Sequence, residues 1–178
     1  MKNKPASLPA SALTEIGHVG SISLKLNRIL VPVDFSDSSK NVLQYAVLFA
    51  KQFGASIALL HVLALPSATD DLYEDETAHK LKAWADEFVP HTIPVQTQTR
   101  RGAEAIEIVN EAKRLKAGLM IVSTHGRTGR AHALAGSLAE NLVQLAPCPV
   151  LVVREHEHDF INTAAEIPTV TDNVASAI

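Results

Sequence analysis

The chain has 178 residues, 47% hydrophobic and only 4% aromatic, so we expect one domain with a core of aliphatic side chains. A formal net charge of -3 offers no basic footprint for nucleic acid, and no apolar run approaches the roughly 20 residues of a membrane-spanning helix. Cys148 is the only cysteine, which excludes an intrachain disulfide and favours the cytoplasm.

Hydrophobic periodicity begins at Asn27 and ends at Arg154. Before it, residues 1–26 are interrupted by Pro5, Pro9 and polar side chains, which predicts a polar arm and excludes a secretory signal. Residues 155–178 show no periodicity and are predicted to form a tail. We therefore expect an arm over 1–26, a folded domain over 27–154 and a tail over 155–178.

The first predicted strand runs from Arg28 to Asp34 and is aliphatic on both faces, as a central strand of a parallel sheet should be. Ser36 and Asp37 are candidate N-caps of the first helix, and Gly54 is predicted to end it. The helix should turn one apolar stripe towards the core: Val42, Tyr45, Ala46, Phe49, Ala50 and Phe53.

The second strand is predicted over Ser56–Leu65, followed by an acidic, exposed loop over Pro66–Asp75. His61 lies within this apolar strand, so we interpret it as a core histidine rather than a catalytic one. A second helix then presents Thr77, Leu81, Trp84, Ala85 and Phe88 on one face. The third strand, Val95–Arg100, alternates with polar residues and suits an edge of the sheet.

The last part of the domain repeats the same alternation. The third helix has an apolar stripe, and the fourth strand is predicted over Gly118–Ser123. A fourth helix from near Leu138 should direct Leu138, Leu142 and Leu145 inward and end before Pro147–Pro149. A short fifth strand, Val150–Val153, completes the pattern. The stripe of the third helix is Ala105, Ile108, Val109, Ala112 and Leu115.

Alternating strands and helices predict an α/β fold with an open, five-stranded parallel sheet that is doubly wound and Rossmann-like. With the first strand central, we predict the strand order 3-2-1-4-5. Ligands of such sheets bind beyond the carboxyl ends of the strands, where the strand order reverses. Asp34, at the end of the first strand, and residues 123–126, at the end of the fourth, should face this crevice.

The segment from Ser123 to Ser137 suits a phosphate group. Gly126 and Gly129 permit close approach of backbone N–H groups, and Gly136 and Ser137 stand where the next helix opens. Arg127 and Arg130 add positive charge. The alternative is that these glycines serve turn geometry alone. No Gly-Lys-Ser/Thr ending is present, and the loop does not follow the first strand, so this is neither a Walker loop nor a dinucleotide fingerprint.

Residues from about Asn27 to Arg154 resemble the universal stress protein family. The resemblance rests on "VPVDFSDSS", "LLHV" and "STHGRTGRAHALAGSLAENLVQLAPCPVLVV". The family signature reads Gly, two residues, Gly, nine residues, Gly and then Ser or Thr. Gly126, Gly136 and Ser137 match its later positions, whereas Ser123 replaces its first glycine.

The resemblance implies an ATP site with bound Mg²⁺. Its matching positions imply that Pro32, Val33 and Asp34 border the adenosine, and that Asp34 accepts from a ribose hydroxyl or helps to place the metal. The other implied nucleotide-binding residues are Val62 and Val122 at the base, and Gly126, Gly136, Ser137 and Leu138 around the phosphates. The residue types of the loop add Ser123, Arg127 and Gly129 to this set. The magnesium would be held mostly by phosphate oxygens. The edge strand Val150–Val153 is expected to pair with a second copy in a homodimer.

These observations favour a cytoplasmic, ATP-binding regulatory protein of the stress response. Two alternatives stay open. Ser123 in place of glycine keeps open a dimeric interaction scaffold that binds no nucleotide. A slow ATPase is the other alternative, with Asp34 and the loop histidines as the only candidate bases. Asp34 itself could instead cap the helix that follows it.

Overall fold

The computed structural model describes residues 25–63, 70–124 and 137–154, in which five strands alternate with four helices. None of the helices in these ranges has the length and hydropathy needed to cross a membrane. The arm over 1–24 and the tail over 155–178 lie outside the described residues. The elements are β1 (Arg28–Pro32), α1 (Asp37–Phe53), β2 (Ser56–Leu63), α2 (Asp70–Phe88), β3 (Val95–Arg101), α3 (Glu104–Leu115), β4 (Leu119–Ser123), α4 (Ser137–Leu145) and β5 (Val150–Val153).

The five strands form one parallel sheet in the order β3-β2-β1-β4-β5, which confirms the predicted topology. The central strand β1 pairs with β2 along its whole length, from Arg28 opposite Ser56 to Pro32 opposite Leu60. The polar strand β3 lies at one edge, as predicted, and β5 lies at the other. Parallel strands need long crossovers, which the helices supply.

Helices cover both faces of the sheet, because successive side chains of each strand point to opposite sides. The first core layer lies under α1 and α2 and includes Ile29, Val31 and Leu59. The second lies under α3 and α4 and includes Leu30, Leu60 and Met120. Each of these six side chains is no more than 1% exposed, so β1, β2 and β4 are buried on both faces.

Both ends of α1 and the end of α4 follow the predicted signals. Ser36 is the N-cap of α1, and its hydroxyl oxygen accepts a hydrogen bond from the backbone N–H of Ser39 at 3.3 Å. Gly54 ends the helix in a left-handed conformation, with φ of 66°, and donates its N–H to the carbonyl of Ala50. Helix α4 ends at Leu145, two residues before Pro147.

Three predictions were wrong: the end of a strand, the start of a helix and the burial of the last residues of two helices. Strand β1 ends at Pro32 rather than Asp34, because Phe35 turns the backbone into the left-handed region. Helix α2 begins at Asp70, inside the predicted loop, since an acidic run suits the positive end of a helix as well as it suits solvent. Phe53 and Leu145 are 39% and 55% exposed, respectively, because each is the last residue of its helix.

A buried carboxylate fastens α3 to the edge strand. Glu111 is 2% exposed and binds two guanidinium groups: Arg100 on β3, at 3.0 Å, and Arg114 one turn further along α3, at 2.5 Å. The hydrogen bond from Arg114, followed by the charge and the hydrogen bond of Arg100, lowers the pKa of Glu111 against the opposing effect of burial. Glu111 is therefore held as the anion that this arrangement needs.

Candidate functional site

A crevice at the carboxyl edge of the sheet follows from the topology. From β1 the chain adds β2 and β3 on one side, and it then crosses back to add β4 and β5 on the other side. Open α/β sheets bind ligands at such a reversal of strand order, which here lies between β1 and β4. Strand β1 pairs with β4 through Ile29–Leu119 and Leu30–Met120, towards its amino end, whereas it pairs with β2 up to Pro32. Pro32 and Ser123 end β1 and β4 at this edge, and α4 begins there at Ser137.

Three of the predicted site residues share one side of the sheet. Val62 of β2, Val122 of β4 and Leu138 of α4 all pack against the core layer under α3 and α4. Val122 is 5% exposed, and the other two are half-buried. Partly buried aliphatic side chains at the carboxyl edge provide an apolar surface of the kind that lines small-molecule sites.

Val33 belongs to the opposite side. Its side chain is 5% exposed and packs in the layer under α1 and α2. Its N–H donates to the carbonyl of Leu60 at 2.8 Å, and its carbonyl accepts from His61 Nδ1 at 2.7 Å. Because a carbonyl can only accept, Nδ1 is the protonated nitrogen of this ring. His61 is 7% exposed, which confirms it as a core histidine.

The half-buried carboxylate of Asp34 organises the start of α1. Its Oδ1 accepts hydrogen bonds from the backbone N–H of Ser36 at 3.0 Å and from two hydroxyls, those of Ser36 at 2.5 Å and Ser39 at 2.6 Å. The N–H of Asp34 donates in turn to Ser39 Oγ at 3.1 Å. The carboxylate therefore organises the residues at the start of α1, but it does not cap the helix as the alternative proposed, because Ser36 is the N-cap.

Sequence reasoning missed a second acidic residue near this point. Glu104 is the exposed first residue of α3, and partial desolvation of its carboxyl group, followed by the negative charge of Asp34, raises its pKa. Seventy positions separate the two residues, so no local pattern connects them. The topology does connect them, because α3 follows a parallel strand and must also begin at the carboxyl edge.

The predicted phosphate loop lies mostly outside the described residues. This applies to Gly126, Arg127, Gly129 and Gly136, and only the backbone of Ser137, the first residue of α4, is described. In the described part of the chain, no three His, Cys, Asp or Glu side chains come together as a metal site.

The sheet order, the two helical layers and the crevice define an open, doubly wound α/β protein. The family model of the universal stress proteins matches residues 25–154. The chain belongs to the universal stress protein family.

Relatives of known sequence and structure agree with this assignment. A universal stress protein of Methanocaldococcus jannaschii is 33% identical over 142 residues, a match that covers 72% of this chain and 82% of that protein. The structure of the universal stress protein UspA from Lactobacillus plantarum superposes with a TM-score of 0.65 at 26% identity, over 74% of this chain and all of the other.

Two solved structures with the same fold contain adenine nucleotides. One is the universal stress protein from Archaeoglobus fulgidus in complex with dAMP, at 21% identity and a TM-score of 0.57 over 73% of this chain and 98% of that chain. The other is a universal stress protein in complex with cAMP, with a TM-score of 0.58 at the same identity and the same coverage.

Proposed function

We propose that this chain binds ATP at the carboxyl edge of its sheet and acts in the cytoplasm as a nucleotide-dependent regulatory factor of the stress response. The observation that carries the proposal is the arrangement at the strand-order reversal. There, Asp34 follows β1, and the amino end of α4 follows β4 along the same edge. A carboxylate suits the hydroxyl donors of a ribose, and a helix N-terminus suits phosphate. The dAMP and cAMP complexes of the two structures with the same fold support an adenine nucleotide as the ligand.

The nucleoside half of the ligand would occupy the described part of the crevice. Asp34 would accept from the ribose hydroxyls, and Pro32 and the main chain of Val33 would border the adenosine. The apolar side chains of Val62 and Val122 would contact the base. Asp34 and Glu104 together make this end of the crevice acidic, which attracts hydroxyl donors or cations and repels phosphate. The phosphates must therefore extend away from it.

The phosphate half would follow β4 towards α4. We propose that backbone N–H groups near Gly126, Gly129 and Gly136 hold the phosphates, with Arg127, Ser137 and Leu138 beside them. Ser123 replaces the first signature glycine with a small side chain whose hydroxyl can donate to a phosphate oxygen. Mg²⁺ would be held mainly by the phosphate oxygens, since the described residues offer no metal site of their own.

Calorimetric titration of the full chain with ATP and with adenosine tests the proposal. Wild-type protein should bind both. Gly136→Val should lower the affinity for ATP about 100-fold, because a side chain near the start of the helix blocks the charge-assisted contacts between backbone N–H groups and the phosphates. Ala83→Val, which adds bulk on an exposed position of α2, should leave the affinity unchanged. Equal affinity of Gly136→Val and wild-type protein for ATP would contradict the phosphate site.

The same samples distinguish the other functions. Wild-type protein that neither releases an adenine nucleotide on denaturation nor binds one in solution would refute nucleotide binding and favour the interaction scaffold. Formation of ADP from ATP would instead support slow hydrolysis. Mass spectrometry of the released ligand and of the reaction products gives both answers.

We propose in addition that the chain forms a homodimer through β5. This strand lies at the edge of the sheet, and Val150, Leu151 and Val152 are only half-buried. Val143 and Leu145 of the neighbouring helix α4 are each 55% exposed. An edge strand with aliphatic side chains is a favourable template for pairing with an identical strand.

Proline substitution tests this pairing. The carbonyls of Pro149 and Val153 accept from the N–H groups of Met120 in β4 and of Thr124 directly after it. Residues 149, 151 and 153 therefore face β4, and the N–H of Val152 points outward. Val152→Pro should give a monomer in sedimentation velocity without loss of the fold, because it removes an outward donor only. Val153→Pro removes a donor directed at β4 and should destabilise the fold. A dimer that survives Val152→Pro would refute an interface through this edge.

A further inference from the structure

Phe35, directly after Asp34, has an unusual backbone conformation. Its φ is 65°, in the left-handed region that glycine normally occupies. An aromatic residue keeps such a conformation only where its surroundings hold it there. The side chain of Phe35 must therefore have contacts that outweigh the strain of its own backbone.

The structure contains those contacts. The ring of Phe35 packs at 4.7 Å between centroids against His61 of β2, with 35° between the ring planes. Trp84 of α2 meets it edge-on, at 5.3 Å and 85°. Lys80 of α2 places its Nζ 4.4 Å from the ring centroid, within the range of a cation–π contact. The ring is thus enclosed by β2 and α2, and we call this group of four residues the Phe35 clamp.

The clamp is continuous with the hydrogen bonds around Asp34. On the side before Asp34, Val33 is bonded to Leu60 and His61 of β2. On the side after it, the ring of Phe35 packs on the same His61. The backbone on both sides of Asp34 is therefore fixed to β2. The hydroxyls of Ser36 and Ser39, at the start of α1, bind the carboxylate itself.

We propose that Phe35 is a positioning residue, whose clamp maintains the left-handed turn that holds the Asp34 carboxylate ready for the ribose hydroxyls. The ring itself packs in the core layer under α1 and α2, whereas Val62, Val122 and Leu138 lie on the other side of the sheet. Phe35 therefore acts through Asp34 rather than by touching the nucleotide. This inference rests on the proposed function, because it assigns Asp34 to the ribose.

A double-mutant cycle with adenosine as the probe tests the route through Asp34. Phe35→Leu and Phe35→Gly should each lower the affinity for adenosine about tenfold. A change of this size is typical of the coupling between two residues in contact, here Phe35 and Asp34. Glycine accepts the left-handed turn without strain, so a loss in Phe35→Gly assigns the effect to the ring. Phe35→Leu combined with Asp34→Asn should bind no more weakly than Asp34→Asn alone. Phe53→Leu, an exposed aromatic position on α1, is the matched control and should bind as wild type does.

Two outcomes of the cycle would overturn the inference. One is a Phe35→Gly variant with wild-type affinity, which would make the ring unnecessary. The other is an equal loss from Phe35→Leu whether residue 34 is Asp or Asn, which would mean that the ring contacts the ligand or supports the fold in general.

Hydrogen exchange provides a readout that needs no nucleotide. The amides of Asp34 and Ser36 donate within this turn, and Phe35→Leu should accelerate their exchange about tenfold while those of Leu30 and Val31 in β1 stay protected. Unchanged exchange at Asp34 and Ser36 would refute the clamp. If wild-type protein binds no adenine nucleotide, the proposed function is wrong, and the exchange rates still decide whether Phe35 holds the turn.

Discussion

Asp34→Asn is expected to weaken the binding of adenosine and of ATP by similar factors, about 10- to 100-fold, because a charge-assisted hydrogen bond to a ribose hydroxyl contributes roughly 1.5 to 3 kcal/mol. Asparagine keeps an oxygen that can accept from Ser36 and Ser39, so the start of α1 should survive. Calorimetric titration of both ligands measures the two losses.

The choice of asparagine separates the binding role of Asp34 from its structural one. Asp34→Ala leaves the N–H of Ser36 without its acceptor and should also lower the stability of the fold. Asp37→Asn is the matched control, since this acidic residue of α1 is exposed and paired with Lys40. It should bind both ligands as wild type does. A loss confined to ATP would show that Asp34 acts on metal or phosphate, and unchanged affinities would remove it from the site.

The chain's topology was predictable because the spacing of hydrophobic residues identifies each strand and each helix on its own. Val31, Leu59 and Ile121 lie in continuous aliphatic runs, which only a strand buried on both faces requires. The polar alternation of β3 predicted an edge in the same way. These patterns are local, and a right-handed crossover rule converts them into one sheet order.

Helix termini were predicted less well, because hydrophobicity does not say whether a partner surface reaches the end of a helix. Phe53 continues the apolar spacing of α1, yet at the end of the helix it stacks on Phe49 at 6.1 Å between ring centroids and stays 39% exposed. The acidic residues before Asp75 gave a similar ambiguity, since negative charge suits both a loop and the first turn of α2.

Contacts around the candidate site were the least predictable. The position of Asp34 at the carboxyl edge follows from the end of β1, but its three bonds to Ser36 and Ser39 depend on a turn that bends at Phe35. Nothing in the residue type of Phe35 predicts a left-handed backbone, and its partners His61 and Trp84 are distant in sequence. Side-chain clusters of this kind need the packed fold to be known.

Leu142 and Leu145 of α4 allow a direct test of what packing adds to the sequence pattern, because the sequence predicts that both point inward. Leu142 is fully buried in the layer under α3 and α4, whereas Leu145 is 55% exposed. Leu142→Ala is therefore expected to lower the free energy of unfolding by about 2–5 kcal/mol, through lost burial and the cavity left behind. Leu145→Ala should change it by no more than about 0.5 kcal/mol.

Chemical denaturation of both variants, at a concentration where sedimentation shows a monomer, makes the comparison fair, since Leu145 lies beside the proposed dimer edge. A loss at Leu145 as large as that at Leu142 would mean that α4 buries its last turn in solution. The difference also bears on binding, because α4 begins at Ser137 and depends on Leu142 to stay against the sheet. Loosening that contact would disturb the helix N-terminus to which we assign the phosphates, whereas truncating Leu145 would leave it in place.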